Sequence, residues 1–140
     1  MIYTRTVGWD EFYAALDRTF GRMAGESFDL VVAIAQGGIV PGALVREELD
    51  LAMRVVRLSF RDPSNAPLYD DARLLEADPF PHAGKRILLV DDVSRTGKTL
   101  ARAREYLAGN EVRTLLVNGK ADYSLFETDE CLRMPWKREK

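Results

Sequence analysis

The fold of this chain is decided by residues 87–99, which read ILLVDDVSRTGKT. Four aliphatic residues in a row predict a strand that is buried on both faces of a parallel sheet. Two carboxylates, Asp91 and Asp92, stand at the end of that strand. A short turn of Ser, Arg, Thr and Gly then opens a helix at about Lys98. The stretch therefore predicts a buried strand that delivers two acids and a helix start to one place.

This combination of groups is suited to binding a sugar phosphate. Unpaired N–H groups at a helix N-terminus, together with the positive end of the helix dipole, attract a phosphate. The two acids can hold sugar hydroxyls, or a magnesium ion through water. The stretch is not a nucleoside-triphosphatase P-loop, because that motif needs a glycine five positions before Gly97, where Asp92 stands. The alternative is a buried strand capped by a solvated acidic turn, but the helix start at the same turn favours the phosphate site.

The flanking sequence alternates strand patterns with helix patterns. Phe12, Leu16, Phe20 and Met23 recur at helical spacing and indicate a core-facing stripe. The alternation predicts a single α/β domain, 1–140, with a mainly parallel sheet flanked by helices and right-handed crossovers. We expect helices at residues 9–24, 43–49 and 98–108, strands at residues 28–35, 53–60, 87–90 and 111–117, and an edge strand at residues 2–7.

Residues 60–84 carry no convincing period and predict a flexible loop. So long a loop in a small domain is either a lid over a site or an insert without function. Within this segment, the sequence predicts a short helix at about Ala72 to Ala77. His82 is the only histidine, and we interpret it as a solvated loop residue rather than a catalytic base.

Composition limits the classes of partner. The chain has 140 residues and a formal net charge of −2, which gives no basic face for nucleic acid. No apolar run approaches the roughly 18 residues needed to span a bilayer, and the N-terminus lacks a secretory pattern. The single cysteine, Cys131, fits a reducing compartment. We therefore expect a cytoplasmic protein that acts on a small molecule.

Two further features lie where strands end. Gln36, Gly37 and Gly38 follow the strand at 28–35, and two glycines there let the backbone turn and present N–H groups to an anion. Lys120 follows the strand at 111–117. Because ligands of open α/β sheets gather at the carboxyl ends of strands, Lys120 is a candidate contact, with a plain surface lysine as the alternative.

The motif at residues 90–99 resembles the phosphoribosyl pyrophosphate (PRPP) loop of type I phosphoribosyltransferases. The glycine turn resembles the pyrophosphate loop of that family, and Val40-Pro41-Gly42 resembles the helix start that follows it. The tail, which ends in Met134-Pro135-Trp136, resembles the C-terminal hood of small purine phosphoribosyltransferases that act on xanthine, guanine or hypoxanthine. The resemblance implies the fold of that family, with a flexible loop at 60–84 and a hood at 119–140.

The resemblance also implies a reaction. The family transfers the 5-phosphoribosyl group from PRPP to a purine or purine-like base, releases pyrophosphate and requires Mg²⁺, as in purine salvage. It implies PRPP and a nucleobase as partners, no nucleic acid, no membrane, and a homodimer. In this family pattern, Asp91 and Asp92 would bind the ribose and, through water, the metal ion. Base binding would fall to Lys120 and to the backbone near Leu132, and pyrophosphate binding to Gln36, Gly37 and Gly38. The residues that would bind phosphate are Ser94, Arg95, Thr96, Gly97, Lys98 and Thr99.

Three positions depart from the family pattern. Gln36 stands where an arginine contacts pyrophosphate, and Cys131 stands where an aromatic ring stacks on the base. Tyr123 or Phe126 would be the substitutes, although core packing is the expected role of each. Arg95 stands where the 6-oxopurine enzymes carry an aspartate that exchanges a proton with the base, and arginine cannot do this near neutral pH.

These departures keep two alternatives open. One is a PRPP- or nucleotide-binding regulatory protein without turnover. The other is hydrolysis of a phosphorylated sugar or nucleotide, for which no pair of nucleophile and base is evident in the sequence.

Overall fold

The computed structural model describes residues 2–59, 73–77 and 83–138. Strands and helices alternate along most of the chain, as the sequence pattern predicts. The helices are α1 (Trp9–Arg22), α2 (Ile39–Leu49) and α3 (Lys98–Tyr106), and the strands are β1 (Arg5–Thr6), β2 (Leu30–Ala35), β3 (Met53–Ser59), β4 (Arg73–Ala77), β5 (Arg86–Ser94), β6 (Glu111–Gly119), β7 (Tyr123–Phe126) and β8 (Leu132–Arg133). None of the helices in these ranges is long and apolar enough to cross a membrane.

Six strands form the main sheet in the order β4-β3-β2-β5-β6-β7. All neighbouring pairs are parallel except β3 and β4, which are antiparallel. The strand that the aliphatic run predicts, β5, lies between β2 and β6 near the middle of the sheet. The predicted α/β architecture with a mainly parallel sheet is therefore confirmed.

Both faces of β5 are buried, because its successive side chains point in opposite directions. Leu88 and Val90 pack into a core cluster with Phe12 of α1 and Val45 of α2. Ile87 and Leu89 pack into a second cluster with residues of α3. The helices thus cover the sheet on two sides, with α1 and α2 on one face and α3 on the other, and they leave the carboxyl ends of the strands for the loops.

The C-terminal part returns to the start of the chain. After β7 joins the edge of the main sheet, β8 pairs with β1 in a separate parallel pair that aligns Arg5 with Leu132. The amide N–H of Val7 donates to the carbonyl of Arg133 at 2.8 Å. The segment predicted as a hood therefore contributes strand β7 to the main sheet, and its later strand, β8, holds the N-terminal residues.

Two details differ from the sequence predictions. The short helix at 72–77 is wrong, because Arg73–Ala77 forms strand β4 and pairs with β3 inside the segment expected to be loop. Helix α2 begins at Ile39, four residues before the predicted start at Ala43. The remainder of the predicted lid, with His82, lies outside the described residues.

Candidate functional site

Three loops meet at the carboxyl edge of the sheet. The Gln-Gly-Gly turn follows β2, the Arg-Thr-Gly turn follows β5, and Lys120 follows β6. β5 is the shared neighbour, because it pairs with β2 on one side and places Ser94 opposite Gly119 of β6 on the other. The parallel topology thus gathers the predicted phosphate loop, glycine turn and lysine at one edge.

The glycine turn is packed tightly against β5. A Cβ on Gly38 would collide with the carbonyl oxygens of Val90 and Ile34, so only glycine fits there. The amide N–H of Gly38 donates to Ile34 O at 2.7 Å and is therefore occupied within the turn. The peptide between Ala35 and Gln36 is cis. Gly37 has no such backbone bond among the described residues, so its N–H is a donor that the turn leaves for a ligand.

The two acids have different environments. Asp91 is buried, with 6% of its surface exposed, and its Oδ1 accepts the N–H of Asp92 at 2.8 Å. Asp92 is half-buried, and its Oδ1 accepts the N–H of Val93 at 2.7 Å. Burial, assisted by the neighbouring negative charge of Asp92, raises the pKa of Asp91 to about 8. Asp91 is thus mainly protonated at neutral pH in the ligand-free protein, while Asp92 is the acid that reaches the open site.

The Arg-Thr-Gly turn leaves a helix N-terminus without a side-chain cap. Gly97 has φ +77°, a left-handed conformation that glycine adopts without strain, and it precedes the first residue of α3. Within the turn, Gly97 N donates to Ser94 Oγ at 3.1 Å and Lys98 N donates to Thr96 Oγ1 at 3.3 Å. No side chain caps the first turn of α3. The N–H of Lys98 is thus occupied, while the amide of Thr99, the next in the helix, remains available to an anion.

A cavity of about 760 Å³ opens beside this turn. The cavity is lined by two cations, Arg95 and Lys120, and by two acids, Glu127 and Asp129, which come from three different loops. The turn is thus not walled in by side chains, as the phosphate-site prediction requires. The lining residues are Ser94, Arg95, Thr96, Gly97, Gly119, Lys120, Glu127, Thr128 and Asp129.

A smaller and more apolar cavity of about 220 Å³ lies next to it. Leu132 lines this cavity and Lys120 lines the larger one, so the structure does not bring the two predicted base contacts to the same cavity. Arg95 lines both. The smaller cavity is formed by Tyr3, Asp92, Val93, Arg95, Val117, Asn118, Glu130, Cys131, Leu132, Met134, Trp136 and Lys137.

One residue that sequence reasoning missed, Asn118, holds the loop between β7 and β8. Its side chain is buried, its Nδ2 donates to Glu130 O at 3.1 Å, and its Oδ1 accepts the N–H of Thr128 at 3.0 Å. The loop that carries Glu127 and Asp129 is thereby fixed over the larger cavity. A polar residue at the end of the aliphatic run Leu115-Leu116-Val117 is the signal that would have found it.

The donors for a metal ion are few. No group of three or more His, Cys, Asp or Glu side chains suited to a metal occurs within residues 2–59, 73–77 and 83–138. Asp91 and Asp92 are the two carboxylates that the sequence pattern assigns to a metal. This fits Mg²⁺, which usually takes one or two carboxylates and completes its octahedron with water and substrate phosphates.

A family model described as a phosphoribosyl transferase domain matches residues 8–121 of the chain. The xanthine-guanine phosphoribosyltransferase of Chromohalobacter salexigens is 30% identical over 102 residues. The match covers 73% of this chain and only 60% of that protein, so the chain corresponds to a part of its curated relative.

Two solved structures agree in fold. A purine phosphoribosyltransferase from Pyrococcus horikoshii Ot3 superposes with a TM-score of 0.79 at 22% identity, covering 97% of this chain and 96% of the other. A hypothetical protein from Neisseria gonorrhoeae, solved with bound ppGpp, superposes with a TM-score of 0.77 at 20% identity, covering 99% and 92%. At such identities the likeness shows the shared fold alone.

Proposed function

The chain belongs to the phosphoribosyl transferase domain family, and on that premise we propose that it transfers the 5-phosphoribosyl group of PRPP to a purine or purine-like base and releases pyrophosphate. The observation that carries the proposal is the meeting of the Asp91-Asp92 pair, the glycine turn and the uncapped start of α3 at one edge of the sheet, beside an open cavity. The purine class of acceptor is supported by the purine phosphoribosyltransferases among the similar proteins.

The proposed reaction is a displacement at the anomeric carbon of the ribose. A nitrogen of the base forms the new bond to that carbon, and the bond from the carbon to pyrophosphate breaks with its electron pair on the departing oxygen. Positive charge builds on the ribose ring and negative charge on pyrophosphate. The site must therefore present oriented N–H groups to the leaving group and a negative charge to the ribose.

The position of Asp92 suits this requirement. Its carboxylate touches Gly37, whose N–H is a free donor of the glycine turn, and Asp92 also lines the smaller cavity. A reacting carbon held near Asp92 would have the leaving group on the side of Gly37 and the acceptor base on the side of that cavity. In the proposal, Thr96, Gly97, Lys98 and Thr99 hold the 5′-phosphate, and Asp92 holds the ribose hydroxyls.

Mg²⁺ belongs to the same proposal. When bound, it would neutralise charge on the pyrophosphate that leaves. Asp92 would hold it through water, and Asp91 would join once its proton is lost, which a nearby cation favours by lowering the pKa of that carboxyl. These two acids therefore bind and orient, while the backbone of the glycine turn and the start of α3 position the substrate.

The acceptor base is proposed to enter the smaller cavity. Its apolar lining, including Leu132, suits the faces of a flat heterocycle. Arg95 cannot take a proton from the base near neutral pH, but Asp92 and Glu130 line the same cavity and carry groups that can. Lys120 is proposed to contact the ligand from the larger cavity.

The test is a screen for pyrophosphate release with PRPP, Mg²⁺ and a panel of bases. At least one purine should give steady release, and Asp92→Asn should lower the rate roughly 100-fold, the size typical of removing one charged group from a preorganised site. No release with any base would overturn the proposed transfer. Glu47→Gln, an exposed carboxylate on α2, is the control for the change in charge.

A second candidate, a nucleotide-binding regulator without turnover, is favoured by the arginine at position 95. Arg95 replaces the proton-exchanging aspartate with a fixed cation beside both cavities, which strengthens the binding of anions. The fold neighbour from Neisseria gonorrhoeae holds ppGpp, a nucleotide with extra phosphates. This candidate predicts that calorimetry detects nucleotide or PRPP binding while no base yields product, and steady turnover would exclude it.

A further inference from the structure

The smaller cavity has an aromatic ring from an unexpected part of the chain. Tyr3 lies upstream of β1, and nothing in the local sequence marks it as a ligand contact. The pairing of β1 with β8 carries it beside Cys131, which is distant in sequence. Tyr3 thus lines the same cavity as Cys131 and Leu132.

Several hydrogen bonds fix the N-terminal segment in this place. Thr4 N donates to Cys131 O at 2.9 Å, and Cys131 N donates to Thr4 Oγ1 at 3.0 Å. Arg5 Nε donates to Glu130 Oε2 at 3.0 Å, in a pair that solvent partly screens. The residues on either side of the β1–β8 contact are therefore held together, and Tyr3 continues from a fixed neighbour, Thr4.

The ring of Tyr3 is not used in packing against other rings. It is half-buried, and in the part of the chain that the structure describes it has no ring contact and its hydroxyl has no hydrogen-bond partner. Trp136, the other large ring of the cavity, is committed to the core. It packs edge-to-face on Phe12 with centroids 5.2 Å apart and lies 6.2 Å from the ring of Trp9.

The two aromatic residues expected to replace a ring at position 131 are engaged elsewhere. Tyr123 and Phe126 belong to β7 and pack against the core cluster that contains Phe12 and Leu16. Neither lines the smaller cavity. Of the two rings that line the smaller cavity, Tyr3 is therefore the one that makes no contact with another ring in the described part of the chain.

From these contacts we propose that Tyr3 stacks on the acceptor base and supplies, from the N-terminal segment, the aromatic surface that the cysteine at position 131 does not provide. The inference rests on the proposed function, since it concerns the base site of the same reaction. The ligand class is a single planar heterocycle, because a volume of about 220 Å³ is below the range typical of larger ligands. The ribose and phosphate then extend past Arg95, which lines both cavities, into the larger one.

The experiment compares two ligands that differ only by the base. Calorimetry measures the Kd of guanosine 5′-monophosphate and of ribose 5-phosphate for the wild-type protein, Tyr3→Ala and Tyr3→Phe. Tyr3→Ala should weaken the nucleotide roughly tenfold, within the range for loss of one base-stacking ring, and leave ribose 5-phosphate unchanged. Tyr3→Phe keeps the ring and should restore nucleotide binding to within about twofold of the wild type.

Tyr13→Ala is the matched control. Tyr13 is an exposed tyrosine of α1 that stacks on Trp9 and lines neither cavity. It should leave both Kd values unchanged. Should Tyr3→Ala unfold, Tyr3→Leu keeps the apolar bulk and should fold, yet it should still lose most of the stacking.

Two results would overturn the inference. One is a Tyr3→Ala variant that binds the nucleotide as tightly as the wild type. The other is an equal loss for ribose 5-phosphate, which would mean that Tyr3 acts on the whole site. These results are independent of turnover, because the nucleotide Kd is measured without PRPP. A protein that binds the nucleotide through Tyr3 but never releases pyrophosphate would refute the proposed transfer and retain the stacking role.

Discussion

The carboxylate of Asp92 lies against the backbone of Gly37, so closely that a Cβ at position 37 would overlap its atoms. Asp92 lies near the carboxyl end of β5, and Gly37 lies in the turn that follows β2. The absence of a side chain at position 37 is therefore what allows the acid to approach the glycine turn. In the proposed reaction, the carboxylate of Asp92 would hold the ribose and the amide of Gly37 would hold the leaving group. The contact places these two groups side by side.

Gly37→Ala should consequently damage activity far more than stability. The new methyl group must displace the carboxylate of Asp92, which is the end of a half-exposed side chain and can move at a small cost. We expect kcat/KM for PRPP to fall roughly 100-fold, as for loss of one preorganised charged contact, while the free energy of unfolding changes by less than about 1 kcal/mol. Urea unfolding and pyrophosphate release measure the two quantities.

Gly21→Ala is the matched control for this variant. Gly21 lies in α1, and a Cβ there meets nothing within 4 Å. Alanine should stabilise the helix by roughly 0.5–1 kcal/mol and leave turnover unchanged. Full activity in Gly37→Ala would show that the contact with Asp92 is not needed.

The stability of the ligand-free protein should depend on pH through Asp91. Burial, with the charge of Asp92, raises the pKa of Asp91 from its ordinary value of 3.8 to about 8 in the folded state. The folded protein then binds more protons than the unfolded one between these values. The contribution of Asp91 to the free energy of unfolding is fully present below about pH 4 and is lost as the pH rises through 8, by at most on the order of 6 kcal/mol.

Asp91→Asn should remove this slope, because the amide does not ionise and its Oδ1 still accepts the N–H of Asp92. Urea unfolding in EDTA at pH 5 and pH 8 is the measurement, and the variant should be the more stable protein at pH 8. Asp17→Asn removes one carboxylate from the exposed surface of α1 and controls for net charge. Equal slopes for Asp91→Asn and the wild type would contradict the buried, protonated state.

The part of the fold that could be predicted is the part that the apolar pattern determines. The run from Ile87 to Val90 fixes a two-sided strand, and burial on both faces agrees with it. Segment 73–77 reads Arg-Leu-Leu-Glu-Ala, which consists of good helix formers, yet it forms β4. Pairing with β3 decides its structure, and intrinsic propensity is too weak to resist such a tertiary contact.

The site shows the same division. The phosphate turn could be recognised because its glycine, hydroxyls and helix start are contiguous in sequence. Tyr3 could not be recognised from the sequence, because its position depends on the pairing of β1 with β8. The Thr4–Cys131 hydrogen bond in this region joins residues 127 positions apart. Nor could the sequence reveal that Lys120 and Leu132 face different cavities, because that depends on how the loop held by Asn118 is folded.

Asn118→Ala should loosen the loop between β7 and β8. The change removes the acceptor of Thr128 N–H and the donor to Glu130 O in a buried place, which should cost roughly 1–3 kcal/mol of unfolding free energy. Hydrogen exchange at the amide of Thr128 should accelerate at least tenfold. Asn110→Ala is the control, because its side chain accepts Lys85 N–H far from this loop and should not change that exchange. Unchanged exchange in Asn118→Ala would contradict the assigned role.

Arg95→Ala should weaken the binding of ribose 5-phosphate. Arg95 is exposed, lines both cavities, and has no ion pair or hydrogen bond within the described part of the chain, so its charge is available to a ligand. We expect the Kd from calorimetry to rise roughly tenfold at low salt and by less at 0.5 M salt, because salt screens an exposed pair. Arg95→Lys should recover part of the loss.

Arg102→Ala, which removes an arginine of α3 that faces Glu105, should bind as the wild type does. Equal Kd values for Arg95→Ala and Arg102→Ala would mean that Arg95 does not contact the phosphate.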